Sequence, residues 1–177
     1  MKTHQILFIL IGSVNSLSAQ ITEFWDKAQT KKRSEYEIKN GMQDGKYTAW
    51  YENGEIAKEG FFKEGKENGK FTYYYPGKKI KAEEHYVKGR KNGTWTYWYI
   101  NGNKAQETFF KSDFKAEYQD STWTGWYEDK TLKSVENYKM GKKEGAWIYY
   151  YANGKEESKG SFKNNLADGM YTEWTST

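Results

Sequence analysis

The chain has 177 residues, with 28 Lys and Arg against 24 Asp and Glu, two His and no cysteine. Without cysteine there is no disulfide framework and no thiolate chemistry, and a net charge of only +4, scattered evenly, argues against nucleic acid or an anionic membrane as partner. A mean hydropathy of −1.08 reads as disorder, yet 19% of residues are aromatic, and Tyr and Trp each bury about 150–250 Å², so a folded chain is expected.

The chain opens with Lys2, a short apolar run from Ile6 to Val14, and then Ser18-Ala19-Gln20. That order predicts a secretory signal peptide over 1–19, cut near Ala19/Gln20. The run falls short of the roughly 20 apolar residues that cross a bilayer. A secreted or periplasmic protein follows, with no transmembrane segment in the mature chain. Residues 20–35 read as a polar lead-in whose Phe24 and Trp25 could cover the first repeat.

From Tyr36 to the end, 36–177, the sequence repeats itself. Gly93-Thr-Trp-Thr-Tyr-Trp-Tyr-Ile-Asn-Gly102 has close copies at Gly45 and Gly145 and looser ones at Gly69, Ser121 and Gly169. The steps are 24, 24, 28, 24 and 24 residues, the mark of a stacked repeat architecture. In each copy the second residue after the start is aromatic (Tyr47, Phe71, Trp95, Trp123, Trp147, Tyr171), and so is the fifth (Trp50, Tyr74, Trp98, Trp126, Tyr150, Trp174). Such runs, bounded by turns, predict β-strands. Alternation puts Tyr73, Tyr97 and Tyr149 on the face of Phe71, Trp95 and Trp147, and Tyr74, Trp98, Trp126 and Tyr150 on the other.

Asn53-Gly54, Asn101-Gly102 and Asn153-Gly154 then predict hairpin tips closed by type I′ turns, whose two central residues need positive φ. Pro76-Gly77 and Glu128-Asp129 mark the remaining tips. A more polar strand follows, with Ile56 and Gly60, or Ile80 and Ala82, expected on a buried face. It ends in a fixed aromatic, Phe62, Tyr86, Phe110, Tyr138 or Phe162, matched ahead of the first copy by Ile38. A glycine-bearing connector returns the chain. The whole predicts an all-β fold, an elongated antiparallel β-meander of about six 24-residue hairpin repeats.

The period breaks once. Lys111 to Asp120 is four residues longer than its counterparts and carries Phe114 and Tyr118. An enlarged loop on a repeat array is a place for function. The candidate contact site is therefore Phe114 and Tyr118 with the neighbouring Tyr97, Trp98 and Trp126. The competing account has the two loop aromatics sealing the break in the stack.

Catalytic chemistry is sparse. His85 is the one histidine after the leader, which rules out a His/Cys zinc site, and the glycines precede no helix that could hold a phosphate. No cofactor is expected. Glu59, Glu83 and Glu107 share one column of successive repeats, about 10 Å apart in a regular ribbon, and keep glycoside hydrolysis as an alternative.

The unit Gly-x-aromatic-x-x-Tyr-Tyr-x-Asn-Gly-Lys, a strand, then x-Asn-Gly-x-x-x-Gly, resembles the MORN repeat, and in particular the variant repeats of bacterial YwqK-type antitoxin proteins. The resemblance covers about Tyr36 to Thr175; the fourth copy departs from it at Ser121 and Lys130. It implies a curved ribbon of hairpins and a non-enzymatic binding or scaffold module. A protein is the first partner expected, a toxin to be neutralised being one version of it, and an envelope glycan is the second. Mass spectrometry of the protein from its native host is expected to find an N-terminus at or near Gln20; full-length chain retained in the cytoplasm would contradict export.

Overall fold

The structure, a computed structural model, describes residues 6–11, 18–111 and 120–176. Among these residues there is no helix, and every strand pairing is antiparallel. The chain divides into two compact units, Met1–Arg90 and Lys91–Thr177.

In the first unit β1 (Ile6–Ile11), β2 (Ser18–Phe24), β3 (Lys32–Lys39), β4 (Met42–Trp50), β5 (Ile56–Lys63), β6 (Lys66–Glu67), β7 (Gly69–Tyr74) and β8 (Ile80–Val87) follow one another as a meander. The apolar run Ile6–Ile11 pairs with Ser18–Phe24, and β2 buries Ile21, Thr22 and Phe24. A short strand β9 (Arg90–Lys91) stands at the division. The second unit repeats the pattern through β10 (Gly93–Trp98), β11 (Lys104–Lys111), β12 (Asp120–Trp126), β13 (Leu132–Lys139), β14 (Lys142–Lys143), β15 (Gly145–Tyr150), β16 (Glu156–Lys163), β17 (Leu166–Ala167) and β18 (Thr172–Glu173). This is the predicted hairpin meander.

Rings hold each unit together. In the first, Tyr47–Phe62, Phe62–Phe71 and Phe71–Tyr86 meet edge to face at centroid distances of 5.5, 5.4 and 5.6 Å. In the second, Trp95–Phe110, Tyr138–Trp147 and Trp147–Phe162 do the same at 5.2, 5.1 and 5.3 Å. Each such pair contributes about 0.5–1.5 kcal/mol beyond its area. Phe71, Trp95 and Trp147 are buried. Beside the rings the polar strand supplies a small residue: a Cβ on Gly60 would run into the Phe71 ring.

Two further ladders join successive hairpins. The tyrosine that follows the fifth-position aromatic donates its hydroxyl to the next copy's backbone: Tyr51 to Tyr74 O (2.6 Å), Tyr99 to Trp126 O (3.0 Å), Tyr127 to Tyr150 O (2.8 Å) and Tyr151 to Trp174 O (2.7 Å). At the opposite ends the connectors bond to one another, as in Gly65 N to Gln43 O (2.7 Å) and Met140 N to the Asp120 carboxylate (2.8 Å). That explains an oxygen-bearing side chain (Asp44, Asn68, Asp120, Glu144) just before the start of a copy.

The turn at the Asn-Gly tips is not the type I′ turn expected there. At the Asn-Gly tips Tyr51 N bonds Glu55 O and Gly54 N bonds Tyr51 O, closing a three-residue loop in which Gly54 has φ +86° while Asn53 has no positive φ. This is a type I turn with a bulge, and the adjoining register shift lies between Ala49 and Trp50. The type I′ turns sit in the connectors: Lys63 pairs with Lys66 across Glu64 (φ +52°) and Gly65 (φ +77°). Loop length decides, because two residues between paired positions demand the primed turn. The same bulge corrects the expected burial of Ile56 and Ile80, which are 37% and 40% exposed.

In the fourth copy Lys130 takes the tip glycine's place at φ +77°. Left-handed backbone costs a side-chain-bearing residue about 1 kcal/mol or more, so Lys130→Gly is expected to stabilise the protein by about 1 kcal/mol. Trp147→Ala, which removes the centre of the second unit's ladder, is expected to cost about 3–5 kcal/mol. Urea denaturation followed by Trp fluorescence checks both; a neutral Trp147→Ala would mean that the ladder does not hold the unit.

Candidate ligand-binding groove

One cross-strand row in the second unit differs from its counterpart in the first. Tyr97 pairs with Gln106, Gln106 with Gly125, Gly125 with Ser134, and Ser134 with Tyr149. The matching row of the first unit runs Ala49, Lys58, Tyr73, Ala82, with a tyrosine ring where the second unit has Gly125. Gly125 is not among the residues of positive φ, so no turn geometry calls for a glycine there. A glycine inside a strand is where something else comes close to the backbone.

The missing side chain leaves a groove of about 450 Å³. Tyr97 and Tyr149 stand at its two ends, and Trp123 and Glu136 line it from the adjacent row. A Cβ on Gly125 would come 3.0 Å from Ser134 Oγ. Among the described residues Ser134 Oγ makes no hydrogen bond, while Gln106 donates its amide to Thr108 Oγ1 at 3.1 Å and keeps its carbonyl oxygen open.

Charge in the groove is balanced. Lys133 lines it with its ammonium 5.5 Å from the Tyr127 ring centroid, and Glu136 accepts the Tyr138 hydroxyl at 3.2 Å. Burial, with the Glu136 carboxylate behind it, pushes the Tyr149 hydroxyl up to about 12. It is therefore a neutral donor at every physiological pH.

Of the sequence candidates, Tyr97 and Trp126 line this groove, and the Lys104 ammonium stands 5.2 Å from the Trp126 ring. Trp98 is half-buried, pairs with Lys104 and does not line it. Phe114 and Tyr118 lie outside the described residues. Gly125, Gln106, Ser134 and Glu136 went unnoticed in the sequence. The signal was there: at the fourth position after the start of a copy, tyrosine stands at 73, 97 and 149, alanine at 49 and glutamate at 173, but glycine at 125.

The glutamate column is tied up in other contacts. Glu59 accepts the Tyr74 hydroxyl, Glu83 holds Lys70 at 2.8 Å, and Glu107 holds Lys104 at 2.6 Å. Among the described residues no cluster of His, Asp and Glu could hold a metal ion.

A family model described as "MORN repeat variant" matches residues 43–64, 67–88, 91–112 and 143–164. The chain is a MORN-repeat protein. No curated protein matches it. The four matches step over 113–142, which is the copy that carries Gly125, Ser134 and Glu136. The repeat is of a binding type, and the groove lies where this chain leaves the repeat pattern.

The raised Tyr149 pKa sets an alkaline prediction. A folded value above the unfolded value near 10 means that the stability it carries is full below about pH 10 and is lost as pH rises toward 12. Tyr149→Phe is expected to remove one late-titrating phenol from the ultraviolet titration curve and to flatten part of that loss. A phenol lost from the ordinary range near pH 10 would contradict the burial assigned to Tyr149.

Proposed function

We propose that this MORN-repeat protein is an exported, non-enzymatic binding module that works through the groove above Gly125. The observation that carries this reading is the gap itself. Three copies fill this place with Tyr73, Tyr97 or Tyr149 and the first carries Ala49, whereas Gly125 puts no side chain there and the space around it is lined by rings and open polar groups. Concave sites that combine apolar walls with a few placed polar groups are where ligands bind.

The first expectation was a protein partner, met by the extended surface of the repeats. Many of the aromatic rings are engaged inside each unit, in the edge-to-face ladder or in the tyrosine clamps. Ile100 and Phe109 are 59% and 54% exposed, one in a hairpin tip and one toward the far end of β11, and single exposed apolar residues are ordinary surface. Nothing favours toxin neutralisation in particular. Catalysis through the glutamates is disfavoured because each carboxylate already has its partner.

Export is compatible with the fold. Cleavage after Ala19 would remove β1, open the edge of β2 that it pairs with, and leave Gln20 to Phe24 paired with β3. The mature protein would therefore keep an edge strand.

The test compares two variants of the immobilised mature chain, exposed to protein and polysaccharide fractions of the host envelope. Tyr97→Ala with Tyr149→Ala is expected to abolish retention of the ligand, while Glu59→Gln with Glu83→Gln and Glu107→Gln leaves it unchanged and the ligand intact. Ligand converted over time by wild type but not by the glutamate variant would overturn the binding reading in favour of catalysis.

A further inference from the structure

We infer that the groove above Gly125 is a subsite for a neutral oligosaccharide, held between the rings of Tyr97 and Tyr149. This rests on the binding reading above and names the class of ligand for the same site.

Length and chemistry of the row point there together. Tyr97 and Tyr149 are four strand spacings apart, about 19 Å along the sheet, with Gln106, Gly125 and Ser134 between them. A sugar ring has an apolar C–H face and a rim of hydroxyls. The C–H face packs on an aromatic ring, whose apolar body takes it while the phenol tip stays hydrogen-bonded. The hydroxyls, each both donor and acceptor, suit a floor of the same mixed kind. Ser134 Oγ is unpartnered among the described residues, the Gln106 carbonyl is an open acceptor, and Tyr149 stays a donor.

The two charges, Lys133 and Glu136, are of opposite sign, so the groove has no net field to select an ionic ligand. A peptide is the weaker fit. An extended peptide brings a line of backbone N–H and C=O groups, which are met by a free strand edge. This groove crosses the face of a sheet in which β10 to β13 and β15 already pair their backbones with one another. What it offers is side chains. A proline-rich segment, with fewer donors, can dock in an aromatic-lined groove, and it is the competing occupant.

The obstructing variant is Gly125→Tyr, which restores the ring found at this place in the neighbouring copies. Its Cβ meets only Ser134 Oγ at 3.0 Å, a rotatable hydroxyl, with the Ala105 carbonyl at 3.9 Å, so the fold can accept it. Gly125→Ala is a smaller second variant. Trisaccharides of β-1,4-glucose, β-1,4-N-acetylglucosamine, α-1,4-glucose and β-1,3-glucose are titrated into the full chain by calorimetry and by Trp fluorescence, beside a proline-rich decapeptide.

At least one trisaccharide is expected to bind wild type. Tyr97→Ala should weaken it by roughly tenfold, and Gly125→Tyr should abolish it without lowering the melting temperature. If Gly125→Tyr unfolds the chain, Gly125→Ala and Tyr149→Ala carry the same comparison. Peptide binding lost in Gly125→Tyr, with no trisaccharide bound, would overturn the saccharide while keeping the groove. Trisaccharide binding untouched by every groove variant would overturn the site. Binding of neither probe at millimolar concentration would overturn the saccharide inference.

Discussion

The edge-to-face contact between the second-position ring of one strand and the terminal ring of the next is the interaction on which each unit depends. A lone hairpin is marginal in water. Here hairpins lend rings to their neighbours, as Phe62 does between Tyr47 and Phe71 and as Trp147 does between Tyr138 and Phe162. Dropping one residue from the period would turn those rings to the opposite face, since the side chains of a strand alternate. That is the physical content of the recurring 24-residue step. The tyrosine clamps at one end of the hairpins and the connector bonds at the other fix the same register twice more.

Where the ladder is complete, the residues beside it fill its gaps, and where a copy is irregular, space appears. Lys58 lies over Phe71 at 4.7 Å and over Tyr73 at 4.9 Å, so the first unit's row is closed. The fourth copy has lost three features together: its starting glycine is Ser121, its tip glycine is Lys130, and its inner aromatic is Gly125. The first two cost stability or leave it unchanged. The third opens the groove. Under the proposed function, this emptied place in the inner column serves a ligand rather than the array.

Much of the fold could be read from the sequence because the repeat samples each position six times. The buried columns and the sites of both turns follow from recurrence alone. Turn type did not follow, because it depends on which residues are paired across the loop, and a bulge at Ala49/Trp50 or Tyr97/Trp98 changes that count without changing the spacing. The type I′ turn was therefore assigned to the wrong end of the hairpins, although Asn-Gly does form their tips. The candidate site was legible only in its walls. Tyr97 and Trp126 stand out as large rings beside the longer connector, whereas Gly125 is the absence of a ring. Gln106, Ser134 and Glu136 come from strands distant in sequence and meet only through the pairing of β11, β12 and β13.

The central claim is that the emptied column at Gly125 is the working surface of the second unit. Amide correlation NMR of the mature chain, recorded as a bound trisaccharide is titrated in, addresses it most directly, because glycine amides resolve well from the rest. The account predicts that the Gly125 and Ser134 amides and the Gln106 side-chain amide move first and saturate together, with the β3 to β5 signals unmoved. Shifts gathered on the first unit, or a Gly125 amide that stays in place while the ligand binds, would contradict it.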